Sequence, residues 1–228
     1  MFFNGLFKQH CLLCATHNGG ELGTRHDCLN DLPWHTAPQC RQCGLLTNGS
    51  ICGSCLSTPP YYEATYSLFT YGFPINTLVQ CYKYVSTLNL GRIFGQLLVT
   101  KASLETIDLV IPMPMHPTRL KERGFNQALE IVKVLSKDYA EKLGYASVTR
   151  QKLTPPLASL SLKDRIKSIK GVFMVTTNLL PQIKNKRIAI VDDVMTTGAS
   201  LNELAKTLKQ ADAIHVECWV VARTLPKP

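Results

Sequence analysis

Residues 186–208 read KRIAIVDDVMTTGASLNELAKTL, and this stretch limits the possible folds more than any other. The apolar run at 188–191 suits a strand buried on both faces, and SLNELAKTLKQ carries the 3.6-residue period of an amphipathic helix. A buried strand running through a short turn into a helix is the repeating unit of a parallel sheet. Similar units recur along the chain. ATYSLFTY, DLVIPMP, ASVTRQ, GVFMV and AIHVECWVVA have strand character. PINTLVQCYKYV, LNLGRIFGQLLVTKA and GFNQALEIVKVLSKDYAEKL have helical character, the last with Leu129, Val132, Leu135 and Tyr139 along one face. Residues 153–170 lack a period, contain Pro155 and Pro156, and read as a long loop. The expected class is α/β, a parallel sheet flanked by helices on both faces.

In such sheets ligands bind beyond the carboxyl ends of the strands. The run at 188–191 therefore delivers Asp192 and Asp193 to the functional edge. Successive strand residues point to opposite faces, so the two acids are expected to do different jobs, one facing a ligand and the other meeting a cation or base. The following Thr196, Thr197, Gly198, Ala199 and Ser200 open a helix, whose free amides and dipole attract anions. Carboxylates for sugar hydroxyls or Mg²⁺ beside a phosphate cradle describe a ribose phosphate. A P-loop ATPase is excluded, because no Gly-Lys-Ser/Thr occurs in the chain.

Seven of the nine cysteines lie before residue 56, as CLLC (Cys11, Cys14), Cys28, CRQC (Cys40, Cys43) and CGSC (Cys52, Cys55). Each CxxC turn brings two thiolates onto one cation, and two turns complete a tetrahedral Zn²⁺ site. Cys40, Cys43, Cys52 and Cys55 form the complete set. Cys11, Cys14 and Cys28 supply three sulfurs, with His26, His17 or His10 as the fourth ligand and His26 preferred for its place beside Cys28. Disulfides are disfavoured, because nothing indicates export. The paired Pro59 and Pro60 mark a linker, dividing the chain into a cysteine-rich module at 1–58 and an α/β domain at 61–228.

No apolar stretch approaches the roughly 18 residues of a membrane span, and the apolar run at the start is too short for a signal peptide. A cytoplasmic protein is expected. Residues 101–189 hold 16 Lys/Arg against 7 Asp/Glu, so this region alone carries the whole net charge of +9. A positive field of this kind suits phosphate-rich partners such as nucleic acid or phosphorylated metabolites. Tyr61, Tyr62, Tyr82, Tyr84 and Trp34 are candidates for stacking on bases.

VDDVMTTGAS resembles the phosphoribosyl-pyrophosphate (PRPP) motif of type I phosphoribosyltransferases. With CGSCLSTPP, VIPMPMHPTRLKERGFNQA and a last strand ending in AR, the chain is similar nearly end to end to the ComF/GntX family, phosphoribosyltransferase-like proteins of DNA uptake in natural competence or of DNA use as a nutrient. The resemblance implies a type I phosphoribosyltransferase-like sheet with a small zinc-ribbon-like module. It implies ribose contacts from Asp192 and Asp193 with Mg²⁺ nearby, and a 5′-phosphate held by Thr196 to Ser200. It places Arg119 and Arg123, with Gly124, Phe125 and Asn126, on the pyrophosphate side, and Lys83 near the end of the first helix. PRPP, single-stranded DNA and competence proteins become the expected partners. The family's second CxxC is broken here by Arg25. In its T-x-x-Q and R-x-x-N loop, Thr154 and Arg165 match while Leu157 and Ser168 do not. No general base or acceptor is identifiable, so PRPP binding with DNA is the first reading and transfer of the phosphoribosyl group the second.

Overall fold

A computed structural model of the protein describes residues 10–17, 19–20, 23–84, 88–136, 139–154 and 162–226. Pro155, Pro156 and Leu157 lie outside the described residues. The apolar run at 188–191 sits in strand β5 (Arg187–Met195), followed after a three-residue turn by helix α8 (Ala199–Gln210). β5 pairs in parallel with β2 (Leu109–Pro112) on one side and with β6 (His215–Arg223) on the other. β1 (Ala64–Thr70) completes a four-stranded parallel sheet in the order β1-β6-β5-β2.

The period of two sorts the core. Ala189 and Val191 of β5, with Trp219 and Val221 of β6, face α3 (Ile75–Tyr84), α4 (Leu88–Lys101) and α6 (Gln127–Val132). Ile188 and Ile190, with Cys218 and Val220, face Leu201, Leu204, Ala205 and Leu208 of α8. The chain leaving β2 therefore packs on one face and the chain leaving β5 on the other. Two adjacent parallel strands whose connections diverge in this way open a crevice at their carboxyl ends.

The cysteine-rich segment does not hang free. An edge strand exposes a row of unpaired backbone groups, and here the free edge of β1 is covered by residues 33–42. The Thr70 N–H donates to Pro33 O at 2.8 Å, His35 N–H to Leu68 O at 2.8 Å, and Thr65 N–H to Arg41 O at 2.9 Å. The ammonium of Lys101 tucks in to donate to the carbonyls of His35 at 3.1 Å and Ser67 at 2.7 Å, bridging cover and strand. Its charge, held among carbonyl dipoles, is drawn down by burial. Of the short helices on the amino-terminal side, α1 spans His26–Asn30 and α2 spans Gly53–Ser57.

Three expectations change. ASVTRQ and GVFMV supply β3 (Val148–Arg150) and β4 (Phe173–Val175), which form a separate antiparallel pair rather than joining the parallel sheet. At three residues each they are too short to carry a crossover. Residues 153–170, read as a loop, contain α7 (Leu162–Ile169). Ile166 on it is exposed while Ile169 is buried against the α8 side, too few apolar anchors to show a period in the sequence. The long helix expected from Gly124 onward ends at Val132 and tightens into a 3₁₀ turn at Lys133–Ser136, with a second at Ala140–Lys142. Docking on α4 overrides the period there, leaving Tyr139 exposed and Ala128, Ile131, Val132 and Leu135 inside.

That docking is close. A methyl at Gly95 would press into the Ile131 carbonyl oxygen and stand 2.9 Å from Val134 Cγ2. Alanine gains about 1 kcal/mol over glycine in a helix interior, whereas forced overpacking costs about 1–3 kcal/mol. The collision with backbone should win: Gly95→Ala is expected to lower the Tm by several degrees in thermal denaturation. A Tm equal to or above that of the parent would refute the α4–α6 approach.

Candidate ligand-binding cleft and metal centre

At the end of β5 the strand alternation separates the two acids. Asp193 follows Val191 onto the α3 face, where Lys83 in the last turn of α3 reaches it, Nζ to Oδ2, at 2.7 Å. Both side chains are largely buried, so the pair is desolvated and strong only because it is paired. Burial would pull the Lys83 ammonium down, and the Asp193 carboxylate outweighs it and raises it. Asp192 follows Ile190 onto the other face and has no such partner. Burial and the adjacent Asp193 charge push its carboxyl up to about 7, against the Asp193 N–H it accepts and the pull of Lys83 and Arg150.

The next residues build a cradle. Gly198 takes the left-handed conformation at φ +78°, and a Cβ there would meet Met195 Cε at 2.8 Å and Tyr62 Oη at 3.0 Å. Glycine is therefore required twice, by backbone angle and by space. At the start of α8 Thr197 Oγ1 accepts the Ala199 N–H at 3.4 Å, and among the described residues the Thr197 and Gly198 N–H groups make no backbone hydrogen bond. These are free donors at the positive end of a helix.

The opposite wall follows β2. Pro117 opens α5 (Pro117–Arg123), where His116 Nδ1 accepts the Thr118 N–H at 3.2 Å, and Gly124 at φ +80° ends it. Asn126 then caps α6 by accepting the Ala128 N–H, while its own amide donates to Met113 O at 3.1 Å and ties the loop back to the end of β2. Phe125 turns inward against Tyr82, with ring centroids 5.7 Å apart. RGFNQA is thus a helix stop, a core anchor and a helix start in six residues. Arg119 pairs with Glu122 at 2.7 Å, and Arg123 donates to Gln127 Oε1 at 3.1 Å and lies over the Tyr84 ring.

Between the walls lies a cleft of about 710 Å³ lined by Asp192, Asp193, Thr196, Thr197, Gly198, Ala199, Ser200, Arg119 and Arg123, together with Lys83. All nine residues expected at the ligand site share this one cavity. Sequence reasoning missed three others that line it. Arg150 reaches in from β3, and Gln127 Nε2 and Thr224 Oγ1 are buried polar atoms without a partner. Buried donors are nearly always satisfied, so these two mark where a polar ligand would complete the site. The amide of Gln127 sits inside RGFNQA, but nothing in SVTRQ or ARTLP distinguishes Arg150 or Thr224.

Of the aromatic residues considered for stacking, Tyr62 and Tyr82 are core, and Trp34 is half-buried on Phe69. Tyr61 and Tyr84 are exposed, Tyr84 on the cleft rim.

The sulfurs of Cys40, Cys43, Cys52 and Cys55 lie within 4.8 Å of one another, with Cys43 Sγ and Cys52 Sγ 3.6 Å apart. Zinc–sulfur bonds of about 2.3 Å in a tetrahedron put sulfurs about 3.8 Å apart, so the four thiolates fit Zn²⁺. Cys11, Cys14 and Cys28 also gather within 4.8 Å, but no fourth ligand joins them among the described residues. His26 does not. It is exposed on α1, and its Nδ1 meets the Asn30 side-chain amide at 3.1 Å, while His10 and His17 stack on each other. A four-residue helix repeat turns His26 toward Asn30 rather than back to the thiols. Protein purified from zinc-replete cells is expected to carry zinc by elemental analysis and to lose it in Cys40→Ser. Metal-free protein, or zinc retained without Cys40, would refute the four-thiolate site.

The phosphoribosyl transferase domain family matches residues 128–227. Competence protein F of Haemophilus influenzae is 31% identical over 201 residues, covering 82% of this chain and 85% of that protein. DNA utilization protein YhgH of Escherichia coli (strain K12) is 29% identical over 195 residues, covering 82% and 84%. Competence protein ComFC of Streptococcus pneumoniae is 24% identical over 157 residues, covering 69% and 67%. With its parallel sheet, its cleft at the carboxyl ends of β2 and β5 and its four-cysteine cluster, the chain belongs to the ComF family of phosphoribosyltransferase-like proteins.

Proposed function

We propose that the cleft binds PRPP with Mg²⁺ and that the protein, while engaging single-stranded DNA, supports DNA uptake in natural transformation. The observation that carries the reading is the division of labour between the acids. Asp193 is neutralised by Lys83, so Asp192 is the carboxylate left to the cleft, beside unpaired amides of the helix start. Asp192 would meet the ribose hydroxyls or their Mg²⁺, and the amides and hydroxyls of 196–200 the 5′-phosphate. Arg119, Arg123 and the unpartnered amide of Gln127 stand on the opposite wall, where guanidinium groups suit the oxygens of a pyrophosphate. Mg²⁺ would there neutralise the diphosphate charge.

Three observations support the nucleic-acid part. Relatives are named for competence and DNA utilization. The basic excess between 101 and 189 contributes Arg119, Arg123 and Arg150 to the cleft. Tyr84 lies exposed at its rim with Arg123 over its ring, a surface on which a base can stack. The chain would then act as two units, a zinc module at 1–58 and a PRPP-binding domain at 61–228, in the cytoplasm alongside other competence proteins. No helix among the described residues is long and apolar enough to cross a membrane.

A second reading, transfer of the phosphoribosyl group with loss of pyrophosphate, is favoured by the two-walled cleft, which could hold a departing diphosphate. Release of pyrophosphate from PRPP in the presence of a panel of bases separates the two.

Asp192→Asn tests the site twice. Titrated by calorimetry, PRPP with Mg²⁺ is expected to bind the variant at least about tenfold more weakly, the worth of a charge-assisted hydrogen bond; unchanged affinity overturns the reading. In stability the same change acts in reverse. A carboxyl raised in the folded state holds its proton while the unfolded chain releases it, so it costs stability as pH climbs from about 4 to about 7. The variant is expected to match the parent Tm near pH 4 and to exceed it by roughly 2–6 °C at pH 8. An equal or lower Tm at pH 8 would show that Asp192 is not repelled.

Single-stranded DNA binding is expected to weaken steeply with salt, with a log–log slope that grows with the number of phosphates contacted. A flat response, or no binding at low salt, sinks the nucleic-acid part.

A further inference from the structure

Arg223, the last residue of β6, is buried with 3% of its surface exposed, yet among the described residues it forms no ion pair. Its guanidinium reaches four backbone carbonyls, with the Cys43 thiol close by. Nε donates to Cys43 O at 2.7 Å, and Nη1 donates to Met195 O at 3.0 Å, Thr224 O at 2.8 Å and Thr196 O. One planar group therefore grips the turn of the four-cysteine cluster on one side and the start of the phosphate cradle on the other. We propose that Arg223 is a positioning residue through which metal occupancy at Cys40, Cys43, Cys52 and Cys55 sets the geometry of the loop at 196–198. The inference rests on the reading of that loop as a phosphate site.

Two physical arguments carry it. In a trans peptide the N–H points opposite to the C=O. Drawing the Met195 and Thr196 carbonyls onto Arg223 turns the Thr196 and Thr197 N–H groups the other way, and Thr197 is among the residues whose amides are left free beside the cleft. A carbonyl that swings loose takes its peptide N–H with it. The second argument is charge. A buried guanidinium without a carboxylate needs a counter-charge, and four thiolates around one divalent cation carry a net −2. The cluster supplies it next to Cys43 O, on a turn that Gly44 closes at φ +68° against the Arg223 stem. When the metal leaves, the thiolates take up protons from water and become neutral thiols, which removes that counter-charge and slackens the turn together.

Thr65 separates this relay from simple loss of structure. Its hydroxyl also holds the cysteine turn, donating to Gln42 O, but it does not touch the phosphate loop. Hydrogen exchange of the full-length protein, zinc-loaded and after zinc removal, is followed over residues 195–200, with α8 core amides as the check that the domain stays folded. Metal removal is expected to speed exchange at 195–200 by roughly 10- to 100-fold, the range of a lost charge-assisted hydrogen bond. In Arg223→Gln the segment should exchange fast whether or not zinc is bound, while Thr65→Val should keep the parent's metal response. Unchanged exchange at 195–200 on metal removal, or an intact response in Arg223→Gln, overturns the proposal. Should Arg223→Gln fail to fold, the parent protein and Thr65→Val decide it. PRPP affinity, measured in parallel, should fall about tenfold or more with the metal. If zinc-loaded parent protein binds no PRPP, the cleft reading fails, while the exchange arm still judges the relay.

Discussion

The ion pair between Lys83 and Asp193 makes the end of β5 possible. Two adjacent carboxylates at a buried strand end repel each other, and each loses hydration that the fold must replace. The pleat gives the solution by sending one to each face of the sheet. On the α3 face a lysine 110 residues earlier in the chain answers Asp193 at 2.7 Å. The position of α3 and the charge at the end of β5 are consequently linked. Without the ammonium, Asp192 would lose one of the charges that draw its raised carboxyl back down.

The amino-terminal segment contributes to the same site from behind. Its pairing with β1 closes an edge that would otherwise be open to other strands, and Lys101 and His35 hold that cover through buried contacts. Its linker continues the attachment. The Tyr61 N–H donates to Asn202 Oδ1 on α8, Tyr62 fills the space beneath Gly198, and Glu63 meets Lys209 at 2.5 Å. The four-cysteine cluster is thereby built against the sheet that carries the candidate cleft, not tethered at a distance.

Local chemistry was legible and long-range chemistry was not. RIAIV, the acid pair and the turn before α8 follow from period and spacing alone, as do the four cysteines that converge. RGFNQA declared itself as a pattern, though its parts (stop, anchor and cap) needed the fold to be told apart. Arg150 and Thr224 gave no signal, and Arg223 showed only as the AR that ends the last strand, because its role comes from carbonyls far off in sequence. The loop at 153–170 hid a helix because its two isoleucines do not share a buried face: Ile169 is docked and Ile166 is exposed. His26 misled through proximity to Cys28: two residues along a helix turn a side chain well away from its neighbour's direction.

The cleft has one wall from residues 113–128 and another from 192–200, on adjacent strands whose helices leave to opposite faces. The second wall is shared with the sheet core, the linker and the cysteine module, so substitution there disturbs several things at once. The first is a short capped insertion tied to the sheet through Asn126 and anchored by Phe125. In mechanical terms the cleft has one wall bound to its surroundings and one free wall. Substitutions on the free wall can therefore reshape the cleft at little cost to the fold, while those on the shared wall are constrained by everything packed behind it.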